Sequence, residues 1–213
     1  MIEWNSLTVN PTVINLLLNG RNRKPNIEDM LTIFGRKKLT PERTAHIFTH
    51  TIIETVENGF PDVAGFINDS PEFVTPPQVD PEDIGRFLMI VIAGNFNYIP
   101  QHFTEGQDKE IIQYCIEKFA PVFEMTPSEF SVKVKEYQSF MCRVNTPSKN
   151  TLYAMTKAIF YKYDLIECQD EYFKSMKTPN PIFCKNMDDI MRNFLWDWEA
   201  FNEKYKVVNQ NAA

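Results

Sequence analysis

The chain has 213 residues, 43% hydrophobic and 23% charged, so it can bury a sizeable core without disulfides or metal, and long disorder is disfavoured. Its net charge of −6 is uneven: residues 1–60 hold 7 Lys+Arg against 6 Asp+Glu, leaving 15 against 22 for residues 61–213. A balance of +1 against −7 argues against general nucleic-acid binding by the larger part, because phosphate contact needs surplus positive charge.

The start, Met1 to Asn5, has no basic segment followed by an apolar run, so no secretory signal is expected. Trp4 and Leu7 precede the first capped helix, where an aromatic arm would suit attachment to a neighbouring subunit. Asn10-Pro11 is the first of five pairs in which a capping residue is followed by proline; the others are Thr40-Pro41, Asp80-Pro81, Thr126-Pro127 and Thr146-Pro147. Each predicts a helix start: the cap side chain accepts from an orphan backbone N–H, and proline fits the first turn, where its missing donor is not needed. Thr104-Glu105-Gly106-Gln107 and Thr126-Pro127-Ser128-Glu129 add the reciprocal capping-box pattern. Asn19-Gly20 and Asn58-Gly59 match helix ends.

Together these signals place helices at about 11–19, 27–35, 41–58, 81–97, 105–119, 127–144, 147–163, 165–176 and 187–205. Strands are nearly absent. The expected fold is all-α, an irregular single-domain bundle of about eight to ten helices around a buried central helix at 81–97. That helix contains the longest apolar stretch, Phe87 to Gly94, whose 8 residues fall far short of the roughly 20 needed to span a bilayer. The proline-rich strap at 59–80, with a short helix at 61–68, marks a possible subdomain boundary.

The basic clusters Arg21, Arg23, Lys24 and Arg36, Lys37, Lys38 each follow a short helix. Bland dipole compensation at helix C-termini explains them, as does an edge for an acidic protein partner; a regulatory nucleic-acid binder is the sharper alternative. On the next helix Glu42, His46, His50 and Glu54 recur every four residues along one side. Two imidazoles and two carboxylates could hold zinc or iron, which makes a small helical metal-dependent enzyme the catalytic alternative. At 100° per residue, however, these polar positions cluster between about −40° and 80° from His46, while Ala45, Phe48, Ile52 and Val56 centre near 240°. That arrangement predicts a solvated face.

The four cysteines, Cys115, Cys142, Cys168 and Cys184, have no chelating spacing and read as free thiols of a reducing, cytoplasmic setting. Seven single glycines cannot build a phosphate loop or dinucleotide fingerprint, and no nucleophile elbow is present. No cofactor is implied. In the C-terminal helix expected at 187–205, Met187, Ile190, Met191, Phe194, Leu195, Trp198, Phe201 and Tyr205 form one apolar stripe. Trp196 falls opposite it among Asp188, Asp189, Arg192, Glu199 and Glu203, which marks Trp196 as a contact for a second intramolecular element or for a partner.

These features are aromatic and architectural, so the sequence points to a non-enzymatic structural or adaptor subunit. Its partners are other protein subunits, copies of itself included, with neither membrane nor nucleic acid. A ring or connector subunit of a tailed-virus particle is one such protein, suggested by the all-helical make-up, an AT-rich style of composition and the missing active site.

Overall fold

A computed structural model describes residues 7–14 and 36–208. Trp4, Arg21, Arg23, Lys24, the helix expected at 27–35 and most of that expected at 11–19 lie outside the described residues. The fold is all-α, with helices packed as a bundle and, among the described residues, a single two-stranded sheet of three-residue strands.

Strand β1 (Lys37–Leu39) leads into helix α1 (Pro41–Asn68), which begins as expected: the Thr40 side chain accepts from Arg43 N at 3.2 Å, with Pro41 following. Its end differs from expectation. The helix runs through Asn58-Gly59 and Pro61 without stopping, because Phe60, Val63, Ala64 and Ile67 continue the buried stripe of Phe48, Ile52, Ile53 and Val56. Burial of that stripe outweighs the local breakers. Gly59 serves packing, since a Cβ there would meet Phe194 Cζ at 2.8 Å. The short helix expected at 61–68 is therefore the end of α1.

The strap begins only after Asn68 and is fastened to the body. Asn68 clasps Val79 through both amide atoms, at 2.9 and 2.8 Å, and Val74 N and Thr75 N both donate to Cys168 O. Asp80-Pro81 forms a turn, with Asp80 Oδ1 accepting from Glu82 N, so the central helix α2 (Gly85–Phe96) starts later than expected. Every residue of α2 except Arg86 is buried. It is the hub, packed against α1 and three later helices.

After α2 come α3 (Ile99–His102), α4 (Gln107–Phe119), a 3-10 turn (Ala120–Phe123), α5 (Pro127–Asn145) and α6 (Thr151–Lys162). The Thr126/Glu129 capping box forms as expected. The Thr104 box does not: Thr104 Oγ1 bonds the Gln107 side chain, and Gly106 occupies the cap position at φ 103. Thr146-Pro147 closes α5 and opens nothing; Asn150 caps α6, accepting from Tyr153 N at 3.2 Å. The helix expected at 165–176 is a 3-10 turn (Leu165–Cys168) followed by α7 (Glu171–Met176).

The long C-terminal helix expected at 187–205 is also divided. α8 (Pro181–Met191) passes into a 3-10 turn (Arg192–Phe194), an extended stretch follows, and α9 (Trp198–Lys204) starts anew on the Asp197 cap. β2 (Tyr205–Val207) then pairs parallel with β1 in the register Lys37 to Tyr205, Lys38 to Lys206 and Leu39 to Val207. Among the described residues no helix is long and apolar enough to cross a membrane.

Candidate interaction groove

The break before Trp196 is made by one polar residue in the apolar hub. Asn95 is fully buried, and its amide donates to Phe194 O at 2.8 Å while accepting from Trp196 N at 2.8 Å. Those two backbone groups would otherwise serve a helix ladder. Bonded to Asn95 instead, they hold residues 195–197 out of helix and bring both tryptophans against Phe48 of α1. The expected opposite faces for Trp196 and Trp198 are thereby lost.

Trp198 enters the core, stacked on Phe48 with centroids 5.1 Å apart and set edge-on to Phe103 at 5.0 Å. Trp196 stops halfway, touching Phe48 at 5.7 Å, Trp198 at 5.7 Å and Phe201 at 5.9 Å. Such offset and edge-on pairs are the favoured aromatic geometries. Phe201 in turn packs on Tyr205 at 4.9 Å. The half-covered face of Trp196 borders a groove of about 440 Å³ between α1 (Ile47, Thr51, Thr55), the loop Asn193–Asp197 and α9 with its extension (Ala200, Phe201, Lys204, Tyr205). Among the described residues the Trp196 indole N–H meets no acceptor.

The small sheet brings the second flagged cluster to this groove. Pairing β1 with β2 sets exposed Lys37 and Lys38 beside Tyr205 and Lys206, and Arg36 Nη1 donates to Asn202 O at 3.0 Å. Lys204 is the one basic side chain of the lining, and Lys37 and Lys38, with Arg36 just before them, lie along the adjoining strand beside Tyr205. Asp197 is engaged in capping, accepting from Ala200 N at 2.8 Å, and Glu199 and Glu203 are exposed on α9. No feature of Arg36 to Lys38 or of Trp196 taken alone discloses that they meet.

The histidine face is less solvated than its polarity predicts. His46 is half-covered and His50 largely buried, their ring centroids 6.4 Å apart, and His50 Nδ1 lies 3.6 Å from Glu54 Oε2. Burial, with Lys118, Arg43 and His50 nearby, holds the His46 imidazole below its ordinary value, against a smaller opposing pull from Glu42. A neutral imidazole can ligate metal, but among the described residues no three His, Cys, Asp or Glu side chains converge on one point. Cys115 and Cys184 are buried thiols, each pushed up to about 12 by desolvation, whereas Cys142 is exposed. A buried cation that the sequence reading passed over, Lys162, lies 4.6 Å from the Tyr137 ring centroid and 4.5 Å from that of Phe140. Burial lowers it to about 8, with Lys133, Arg143 and Arg86 adding to the effect and Glu136 opposing it.

Chemically, the groove offers an apolar slot beside the positive charge of Lys204. These are means of binding. Compared with known protein families, characterised proteins and solved structures, the chain matches none.

Proposed function

We propose that this chain is a non-enzymatic, protein-binding subunit whose groove beside Trp196 seats an apolar side chain from an acidic segment of a partner protein. The observation that carries the reading is that Trp196, Phe201, Tyr205 and Lys204 line one groove, with Lys37 and Lys38 on the strand that pairs with Tyr205–Val207 and Arg36 just before it. Half-buried aromatic anchors bordered by charge are the usual make-up of an interface hot spot. The positive rim selects the sign of the partner and speeds encounter, while the aromatic floor supplies most of the holding energy.

The test is a titration of the purified chain with two peptide sets that share one Leu or Phe anchor, one set flanked by Asp and Glu and the other by Lys and Arg. Tryptophan fluorescence reports binding. The acidic set binds, binding weakens as salt rises, and Trp196→Ala reduces affinity by about 2 kcal/mol or more, as expected for an interface anchor. Equal binding of both sets, or undiminished binding to Trp196→Ala, sinks the proposal.

A further inference from the structure

At the end of the fold remote from the groove, apolar side chains stand in solvent. Among the described residues 5 large hydrophobic side chains are exposed, and all but Val132 of α5 belong to the strap, α7 and the start of α8: Val74 (71%), Tyr172 (66%), Met176 (55%) and Ile182 (61%). The groove draws on Ile47, Thr51 and Thr55 in the first half of α1, whereas this end meets the last turn of α1, where Phe66 stacks on Phe183 at 6.1 Å.

All four sit on backbone tied to the body. Val74 N donates to Cys168 O at 2.8 Å, and Gln169 accepts from Asn180 N at 2.6 Å and donates to Thr178 O at 3.0 Å. Phe73 packs on Phe183 at 4.9 Å, so their chain neighbours Val74 and Ile182 flank one contact. Between these ties runs α7, opened by the Asp170 cap and closed at Lys177, whose carbonyl accepts from Tyr161 Oη at 3.1 Å. Single exposed apolar residues are ordinary on a protein surface, but four gathered on fixed backbone mark an interface.

The order of residues along α7 specifies the partner. The exposed residues of the helix and its closing turn run Glu171, Tyr172, Ser175, Met176, Lys177, with an acid at one end and a base at the other. Tyr172 and Met176 stand one turn apart on the same flank. Reversed, the row is complementary to itself: a two-fold axis across the middle of α7 sets Glu171 of each copy against Lys177 of the other, and Tyr172 against Met176 in a thioether–aromatic contact. Ser175 lies near the crossing, small enough for close approach, and its hydroxyl already donates to Tyr172 O at 2.8 Å. Compensation of the helix dipole accounts for the charge order, not for the apolar pair exposed between the charges.

We infer that this chain pairs with a second copy of itself through the face formed by α7, Val74 and Ile182, the two α7 helices crossing antiparallel about a two-fold axis. A face centred on four apolar side chains belongs to the low end of interface sizes, so the dimer is reversible, with a Kd of about 1–100 µM.

Sedimentation velocity of the full chain between about 1 and 500 µM reads the equilibrium. The mass rises from monomer to dimer and no further, since a two-fold contact closes on itself. Tyr172→Asp, at an exposed position where circular dichroism reports an intact fold, weakens pairing by about thirtyfold or more, while Val132→Asp leaves it unchanged. Glu171→Lys and Lys177→Glu each weaken it by about tenfold, because each dimer then carries two like-charge contacts, and the double variant restores it. Trp196→Ala pairs as the parent chain does. A chain still monomeric at the top of the concentration range overturns the inference, the face then belonging to a different protein. So does a dimer that survives Tyr172→Asp, a double swap as weak as either single one, or loss of pairing in Trp196→Ala, which would assign the contact to the groove.

Discussion

Replacing Asn95 with alanine removes the clamp that turns the chain out of helix before Trp196. The substitution leaves Phe194 O without its donor and Trp196 N without its acceptor, both bonded to Asn95 at 2.8 Å. The third bond, to Val91 O at 2.9 Å, adds little to the cost, because that carbonyl belongs to the ladder of α2. Each orphaned buried group costs ~1–3 kcal/mol, and the vacated volume adds a cavity term, so the total is about 3–5 kcal/mol. For a chain of this length that lowers Tm by roughly 6–20 °C. Urea unfolding followed by tryptophan fluorescence and far-ultraviolet circular dichroism measures the loss. Trp196 and Trp198 also shift environment, so the native emission changes before unfolding begins. A loss under about 1 kcal/mol with unchanged native emission would refute the clamp, since even one orphaned group exceeds it.

Five further outcomes follow from the packing. Thr126→Ala costs about 1 kcal/mol by removing the cap of α5. Glu129, whose carboxyl Thr126 holds below its ordinary value through two hydrogen bonds, contributes stability above its unfolded value that is lost as pH falls through the lowered one; Glu129→Gln therefore reduces sensitivity to acid, read by urea unfolding across pH 3 to 6, about the usual Glu value. Lys162 is lowered to about 8 in the fold, so between there and the unfolded value of about 10.4 the unfolded chain binds more protons and stability rises with pH; Lys162→Met flattens that rise. Buried Tyr137 and Tyr163, both raised by desolvation, reverse the trend above about pH 10. A Cβ on Gly94 would strike the Met155 side chain, so Gly94→Ala costs ~1–3 kcal/mol, and its combination with Met155→Ala costs less than the two separate losses added together.

Helix starts were legible at Thr40 and Thr126, where a cap residue is followed directly by proline, but not at Thr104, whose box pattern does not form. Thr40 and Thr126 cap as their sequences imply, and the apolar run from Phe87 identified α2 as the hub. Failures occurred where a distant contact overrode a local signal. Gly59 and Pro61 looked like an ending, but the stripe continuing to Ile67 keeps α1 intact, and Gly59 makes room for Phe194. Thr146-Pro147 resembled Thr126-Pro127, yet the next cap is Asn150.

The candidate groove was visible only in parts. Trp196 and Arg36 to Lys38 stood out separately, because periodicity describes the faces of single helices. Their meeting depends on a parallel pairing between residues about 170 apart, and no local pattern encodes that register. The signal that could have revealed the broken helix was Asn95, a lone amide inside Phe87–Phe96 that needed buried partners from elsewhere. The solvated reading of His46 and His50 failed for a related reason: polar residues on α1 are partly covered by elements that their own periodicity cannot report.

The most direct test of the groove is amide chemical-shift mapping of the isotopically labelled chain as an acidic peptide with one apolar anchor is added. Shifts confined to Ile47–Thr55, Asn193–Tyr205 and β1, abolished in Trp196→Ala, are the predicted result. Shifts centred elsewhere on the fold, or the same pattern retained by Trp196→Ala, would contradict it.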